Sequence, residues 1–299
     1  MKKLLLSTLI ATTFMGTAYA ADPIKVGVSF QEMNNEYFVV MNEALQEAVN
    51  SIGGELYVTD AAHDVVKQFN DVEDLVSRDI DILILNPTDT EGVRNAVEYA
   101  KKAGVVVVSV DAQAAGPLDA FVGSKNYDAG LLSCTALAKE IGEKGDVAIL
   151  DGIPVVPILE RVRGCKDAFA KYPDIKLVDT QNGKQERTIA MGVTENMLQS
   201  NPNLKGIFSV NDGGAMGVLA AIEASGRDVT LTSVDGSPEA IDAILEGTAF
   251  KATAAQYPRD QVRIGFGVAL AKHWGATVPE VVPVDVKLID ASNAKGFSW

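Results

Sequence analysis

The sequence is poor in the residue types that many chemistries require. Its 299 residues include two histidines, two cysteines and two tryptophans, and aromatic residues make up only 6%. Basic residues (26) are outnumbered by acidic ones (40), which gives a formal net charge of −14. Such a surface repels phosphate backbones and anionic bilayers. Nucleic-acid binding and a polybasic membrane anchor are therefore disfavoured.

The motifs of common α/β enzymes are also missing. No Gly-x-Gly-x-x-Gly follows a predicted strand, and neither a Gly-x-Ser-x-Gly elbow nor a Gly-x-x-x-x-Gly-Lys-Ser/Thr loop occurs. Gly265-Phe-Gly267 lies inside a helical pattern, so we interpret it as close packing. His63-Asp64 is an isolated pair, which favours a solvated turn over a metal site. We expect no catalytic residues, no metal and no cofactor.

What the sequence does contain is enough apolar material for a sizeable core. Hydrophobic residues make up 47% and charged residues 22%, which is typical of a folded globular protein. The length predicts one large or two medium domains.

The first twenty residues have the pattern of a cleavable export signal. Met1-Lys2-Lys3 is basic, an uncharged apolar run covers 4–16, and Ala18-Tyr-Ala20 precedes a predicted cut at Ala21. An uncleaved membrane anchor is the alternative, but the run is shorter than the roughly 20 residues that span a bilayer. Because no cysteine lies at or beside Ala21, lipoprotein acylation is excluded. In a Gram-negative source the mature protein would be free in the periplasm.

Export would place Cys134 and Cys165 in an oxidising compartment. Both lie in predicted helices, at 127–141 and 159–172, which are separated by one predicted strand at 147–150 and would be neighbours on one face of a sheet. A disulfide is one alternative and two small buried thiols are the other. A catalytic cysteine is disfavoured, because neither histidine lies in a segment with a nucleophile signature.

Nearly continuous apolar runs rich in β-branched residues recur along the chain. They cover 25–29, 56–58, 81–85, 105–110, 146–150, 175–178, 206–210 and 229–234. Amphipathic helical patterns separate them, at 42–51, 68–78, 90–103, 189–199 and 213–225, and a strand at 249–255, a helix at 261–274 and a last strand at 281–288 follow. This alternation predicts an α/β protein with two similar, doubly wound lobes, each built on a parallel sheet.

Polar residues follow the predicted strands, where open parallel sheets have their binding crevice. They are Asn86, Asp111, Asp151, Asn211, Asp212 and Asp235. Turn and helix-cap chemistry is the alternative explanation, and Asp151, Asp212 and Asn86 fit it best. For the others, recurrence in both halves favours a polar ligand. The segment 30–38 adds aromatics beside amides, which suit a sugar ring, although Tyr37 and Phe38 are equally explained as core residues.

Seven segments resemble those of periplasmic sugar-binding proteins of the ribose and galactose type, in the same order. They are NNEYF (34–38), LNPTD (85–89), VDAQ (110–113), ERVRG (160–164), VND (210–212), VDGSP (234–238) and AAQYP (254–258). The resemblance implies a type I periplasmic binding protein with its ligand between the lobes. It places one lobe at 21–124 with 258–284 and the other at 125–257 with 285–299, joined by three crossings.

The resemblance also implies the ligand-binding residues and their roles. Asn35, Tyr37 and Asp111 would line the first lobe with Phe38 stacking on the ring, Arg161, Gln185, Asn211 and Asp235 would line the second, and Gln256 would lie at a crossing. Pairing Arg161 with Asp235 or Asp111 would keep the charges compensated in a closed cleft. Arg163 is expected at the surface or in a salt bridge.

Three departures from the family pattern bear on the ligand. Ala112 stands where ribose-binding members have an arginine, Gln185 replaces a stacking aromatic, and 155–158 is apolar where relatives present polar groups. Ribose, another monosaccharide, a polyol and a cyclitol all remain open, and we expect ribose not to be the best ligand.

The leading hypothesis is thus an exported, monomeric sugar or polyol receptor that serves an inner-membrane ABC permease, with a chemoreceptor as a further candidate partner. An α/β enzyme acting on a small sugar is one alternative. The other is a sugar-sensing regulator, which would need a DNA-binding headpiece that this charge and amino terminus do not favour.

Overall fold

The computed structural model describes residues 22–299, so the predicted export signal lies outside the described residues. The strands are β1 (Lys25–Phe30), β2 (Glu55–Asp60), β3 (Ile82–Leu85), β4 (Val106–Val110), β5 (Ala120–Ser124), β6 (Lys144–Asp151), β7 (Asp174–Asn182), β8 (Leu204–Ser209), β9 (Thr230–Asp235), β10 (Phe250–Ala255), β11 (Val281–Val284) and β12 (Lys287–Asp290). The helices are α1 (Glu36–Ser51), α2 (Val65–Ser77), α3 (Arg94–Lys102), α4 (Asn126–Glu140), α5 (Val156–Phe169), α6 (Arg187–Ser200), α7 (Asp212–Ser225), α8 (Pro238–Leu245) and α9 (Pro258–His273).

The strands form two sheets of six, and each sheet is the frame of one lobe. Their orders are β11-β5-β4-β3-β1-β2 and β12-β10-β9-β8-β6-β7, so the two halves repeat one topology. Every pairing is parallel except that of β10 with β12. Apolar clusters cover both faces of each sheet, formed with α1 and α9 or α2 and α3 in one lobe and with α6 to α8 or α4 and α5 in the other. The predicted two-lobed, doubly wound α/β architecture is confirmed.

The chain passes between the sheets three times, near 124–126, 255–258 and 284–287. The last passage corrects the sequence interpretation, because the single strand predicted over 281–288 is two strands. β11 joins the first sheet beside β5, and β12 joins the second beside β10. Each is only four residues long, VVPV in β11 and KLID in β12, so no local signal shows that the chain changes sheets between them. Lys125 and Asp285 form an ion pair where two of the passages lie close together.

Helices α4 and α5 pack at unusually short range, and this contact positions the second lobe's arginine. A β-carbon on Gly130 would lie 1.9 Å from the carbonyl oxygen of Arg161, and one on Gly164 would lie 2.1 Å from that of Tyr127. A disulfide between Cys134 and Cys165, with Cα atoms 5.0 Å apart, joins the same helices. Glycine is therefore required at both crossing points.

The helices of the described residues pack on the two sheets through their apolar faces. Among residues 22–299, none has the length and apolar character that spanning a membrane demands.

Candidate ligand-binding cleft

The nine residues predicted to bind ligand come together around one inner cavity of about 30 Å³ between the lobes. Its lining consists of Gln31, Asn35, Tyr37, Phe38, Asp111, Ala112, Val155, Pro157, Ile158, Arg161, Gln185, Asn211, Asp235 and Gln256. A wider outer cavity of about 390 Å³ shares Asn35, Gln185 and Asp235 with it. The lobes are thus nearly closed on each other, and a molecule larger than a few waters requires them to separate.

The two lobes contribute equivalent aspartates. Asp111 follows β4 and Asp235 ends β9, strands that hold the same place in their sheets. Both residues have positive φ, 64° for Asp111 and 139° for Asp235. Such conformations cost about 1 to 3 kcal/mol in a residue other than glycine, and they cluster at binding sites. The backbone strain turns both carboxylates into the cleft.

Arg161 connects these strand ends from α5. Arg161 is 4% exposed, and its guanidinium donates to the Asn126 side chain at 2.8 Å and to the Val210 carbonyl at 2.8 Å. It also pairs with Asp235 at 3.4 Å, which is one of the two partners expected from the sequence. Because the side chain is held by neutral acceptors as well as by a carboxylate, its orientation does not depend on the ligand.

Three buried carboxylates, those of Asp111, Asp212 and Asp235, lie near one buried guanidinium, that of Arg161. Burial raises the pKa of Asp111 to about 6, with Arg161 lowering it and Asp235 raising it. Burial also raises the pKa of Asp235, against the stabilising effects of Arg161 and Gln256. Burial and then the charge of Asp235 raise the pKa of Asp212 to about 7. The raised pKa values reflect buried negative charge that the single guanidinium does not fully compensate.

Asp212 has a supporting role that turn chemistry does not describe. It is 1% exposed, and it accepts hydrogen bonds from the Ser233 hydroxyl, from the Thr253 hydroxyl at 2.8 Å and from the Ser237 amide at 2.7 Å. It thereby joins the ends of β9 and β10 to α7. The expectation of a simple turn residue is wrong here, because the three donors come from elsewhere in the chain.

Asn86 is likewise more than a turn residue. It is fully buried, its amide donates to Asp111 at 3.3 Å, and its oxygen accepts from the Gln31 backbone at 3.2 Å. It orients Asp111 from the neighbouring strand end. Asp151 does behave as expected, since its carboxylate accepts from the adjacent Gly152 amide at 2.7 Å.

The aromatic residues of the first lobe begin α1. The Asn35 side chain caps that helix by accepting from the Tyr37 amide at 3.1 Å, which starts the helix six residues before the predicted 42. Phe38 packs against Phe30 and Tyr37, and the Tyr37 hydroxyl accepts from Gln261 at 2.9 Å. Both aromatics are core residues and cavity residues at once, because each is 3% to 4% exposed and lines the cavity.

The second lobe presents amides and an apolar wall. Asn211 caps α7 and donates to the Gln185 carbonyl at 3.3 Å, while the Gln185 side chain accepts from the Ile153 amide at 3.3 Å. Gln256 donates to Asp235 at 2.7 Å. Val155 and its neighbours Pro157 and Ile158 supply the apolar surface expected from the sequence.

Arg163 points away from the cleft, as expected, pairing with Glu160 and lying 4.2 Å from the Tyr127 ring centroid. Three residues of the site were not predicted. Gln31 and Asn126 lie just beyond the ends of β1 and β5, and Trp299 lies beyond the last strand. The principle that binding residues follow the carboxyl ends of parallel strands, which predicted Asp111, applies equally to Gln31 and Asn126. No local sequence pattern indicates Trp299.

His63 lies in an exposed turn, as the sequence predicts. Its Nε2 lies 3.2 Å from Glu32 at the rim of the cleft, and no cluster that could hold a metal occurs in the described part of the chain. The hydrogen bond that the imidazole donates to Glu32 raises the pKa of His63, partial burial lowers it, and the negative charges of Glu32, Glu186 and Asp60 raise it further. Glu186 belongs to the other lobe, so a negative charge from across the cleft also favours the protonated imidazole.

This geometry predicts a pH-dependent contribution to stability. Because the pKa of His63 is higher in the folded than in the unfolded protein, protonation stabilises the fold below the usual value near 6.5. That contribution is lost as the pH rises through the raised value. Urea unfolding of wild type and His63→Gln should show a difference that is larger at pH 5.5 than at pH 8.5. A difference independent of pH would contradict the ion pair.

Comparison with known proteins places the fold and the site in context. A family model described as a periplasmic binding protein domain matches residues 26–274. The ribose import binding protein of Bacillus subtilis is 33% identical over 275 residues, covering 86% of this chain and 89% of that protein.

Two solved structures resemble the whole molecule. A periplasmic solute-binding protein of an ABC transporter from Actinobacillus succinogenes, with bound D-allose, superposes with a TM-score of 0.87 at 32% identity, covering 92% of this chain and 100% of that one. A Caulobacter myo-inositol binding protein bound to myo-inositol gives a TM-score of 0.86 at 29% identity, covering 91% and 95%. With the family model and these relatives spanning most of its length, the chain belongs to the periplasmic binding protein family of ABC importers.

Proposed function

We propose that the protein captures a monosaccharide or a related polyol by closure of its two lobes and delivers it to an ABC importer. The observation that carries the proposal is the pair of equivalent, strained aspartates, Asp111 and Asp235, which face one cavity from opposite lobes. A ligand that bonds to both holds the lobes together. Family membership supports the same role, since these relatives are solute-binding proteins of transporters and not enzymes.

The chemistry of the cavity favours a neutral ligand rich in hydroxyl groups. Within residues 22–299, the side-chain oxygens of Gln31 and Gln256 are buried without a hydrogen-bond partner, and both residues line the cavity beside the two carboxylates. Unpartnered buried acceptors each cost about 1 to 3 kcal/mol. Hydroxyl groups donated by a ligand would satisfy all four acceptors, while Arg161 would donate to a ligand oxygen.

The ligand itself is expected to differ from ribose. Ala112, 2% exposed beside Asp111, offers no guanidinium, and Gln185 offers an amide in place of a ring. Loss of a bidentate charged donor costs roughly 1.5 to 3 kcal/mol unless another group replaces it. The relatives with bound D-allose and myo-inositol show that this fold accommodates six-carbon ligands.

A thermal-shift panel tests the proposal. Purified mature protein is heated with D-ribose, D-allose, D-galactose, xylitol and myo-inositol, each at several concentrations. A true ligand at one hundred times its dissociation constant adds about 2.7 kcal/mol of stability, and we expect at least one compound other than ribose to exceed the ribose shift. If ribose alone stabilises the protein, with every other compound at least tenfold weaker, the interpretation of Ala112 and Gln185 is wrong. If nothing in the panel stabilises it, the ligand class is wrong.

The same proposal includes the finer details of location and assembly. Cleavage before Ala21 would release the protein into the periplasm, where it acts as a monomer. The lobes would be 21–124 with 258–284 and 125–257 with 285–299, hinged at the three passages. A chemoreceptor is a second candidate partner for the closed form.

A further inference from the structure

The segment that follows β12, residues 291–299, is anchored on the second lobe. Ala294 is fully buried in that lobe's core, and Phe297 packs against the same core. The Phe297 ring lies 6.3 Å from that of Tyr257, centroid to centroid, and close to Gly236, the residue after Asp235. Gly296, which lies between Ala294 and Phe297, has a φ of 83°, and the chain turns there toward the cleft.

Trp299 then reaches the first lobe. Its ring packs against that lobe's core cluster and stands edge-on to Tyr37, with centroids 5.7 Å apart and planes at 87°. Its indole Nε1 donates to the carbonyl oxygen of Asp235 at 2.9 Å. The side chain therefore contacts one cleft residue from each lobe, and it also lines the outer cavity beside Gln185.

We propose that Trp299 is a positioning residue for ligand binding that holds the lobes together over the occupied cleft. The inference rests on the proposed function and extends it to a residue beyond the strand-end site. The aromatic pair of Trp299 with Tyr37 joins the two lobes and exists only while they are closed, so it stabilises the closed state alone. The indole hydrogen bond to Asp235 lies within the second lobe and holds the ring in position for that contact. The contact with Tyr37 slows opening and ligand release and leaves the encounter rate unchanged. The indole also supplies an aromatic surface at the cleft edge where Gln185 supplies none.

The two tryptophans make a matched test. Trp274 ends α9, is 68% exposed, and lies outside the lining of both cleft cavities. Binding of D-ribose, D-allose and myo-inositol to wild type, Trp299→Ala, Trp299→Phe and Trp274→Ala is measured by calorimetry and stopped-flow. For whichever of these compounds wild type binds, we expect the affinity of Trp299→Ala to be at least tenfold lower, because dissociation is faster. Trp299→Phe should lose less, because it keeps the ring contact with Tyr37, and Trp274→Ala should match wild type.

Equal affinities of Trp299→Ala and Trp274→Ala would overturn the proposal, as would a loss that resides wholly in the association rate. If wild type binds none of the five compounds of the thermal-shift panel, the proposed function fails, and a ligand-free measurement then decides whether Trp299 is held in the position described. Indole hydrogen exchange is followed by NMR in Trp274→Phe, which retains Trp299, and in Trp299→Phe, which retains Trp274. A protected Trp299 indole supports the contact with Asp235, and exchange as fast as that of Trp274 overturns it.

Discussion

Asp235→Ala and Arg161→Ala are each expected to weaken sugar binding by about 2 kcal/mol or more, which is roughly thirtyfold. Arg161 is 4% exposed and Asp235 is 7% exposed, and each is the other's charged partner at 3.4 Å. Removing Arg161 leaves buried carboxylates without their cation, removing Asp235 leaves the guanidinium without its paired carboxylate, and either change deletes a bond to the ligand. Calorimetric titration with the best-stabilising compound of the panel measures the loss.

The control for this prediction lies two residues along the same helix. Arg163→Ala removes an exposed guanidinium that pairs with Glu160 at the surface, and it should leave affinity unchanged. Asp235→Asn keeps the shape of the side chain and removes only its charge, so it should lose less than alanine. Unchanged affinity in a folded Asp235→Ala or Arg161→Ala protein would contradict the assignment of the site.

The second large effect concerns stability and follows from the α4–α5 contact. Gly130→Ala places a β-carbon 1.9 Å from the Arg161 carbonyl oxygen, a distance that backbone atoms cannot tolerate. The helices must move apart, and we expect a loss of about 3 kcal/mol or more in the free energy of unfolding. Because the clashing atom belongs to Arg161, affinity for the sugar should fall in the same variant.

Gly267→Ala is the matched control, since Gly267 also lies inside a helix but has no described atom within 4 Å of its added β-carbon. That substitution should stabilise the protein by about 0.5 to 1 kcal/mol through helix propensity. Urea unfolding distinguishes the two. A Gly130→Ala protein as stable as wild type would mean that α4 and α5 are farther apart than described.

The grouping of the candidate site residues was largely predictable, because parallel sheets bring strand ends together. Asp111 and Asp235 are far apart in sequence, yet each follows a continuous apolar strand, and that placement suffices to predict one shared crevice. The supporting bonds were not predictable. Asp212 resembles an ordinary residue at the start of a helix, and only tertiary structure shows that it accepts hydrogen bonds from β9, from β10 and from the residue that precedes α8.

The elements of the fold that the sequence did not predict, β5, α8 and the division of the last strand, were missed for a similar reason. β5 is short and its sequence, Ala120–Ser124, contains glycine and no alternation, while α8 is only eight residues long, so neither stands out from a loop. The change of sheet between β11 and β12 depends on which partner strands are nearby. The position of Trp299 could not be predicted either, because it depends on a tertiary contact, the packing of Phe297 on the second lobe.

A crystal structure of the protein with the panel compound that stabilises it most tests the central claim most directly. The account predicts one ligand between the lobes, with hydroxyl groups within hydrogen-bond distance of both Asp111 and Asp235 and an oxygen on Arg161. A ligand bound elsewhere on the protein, or one that contacts a single lobe and leaves either aspartate without a bond to it, would contradict the account.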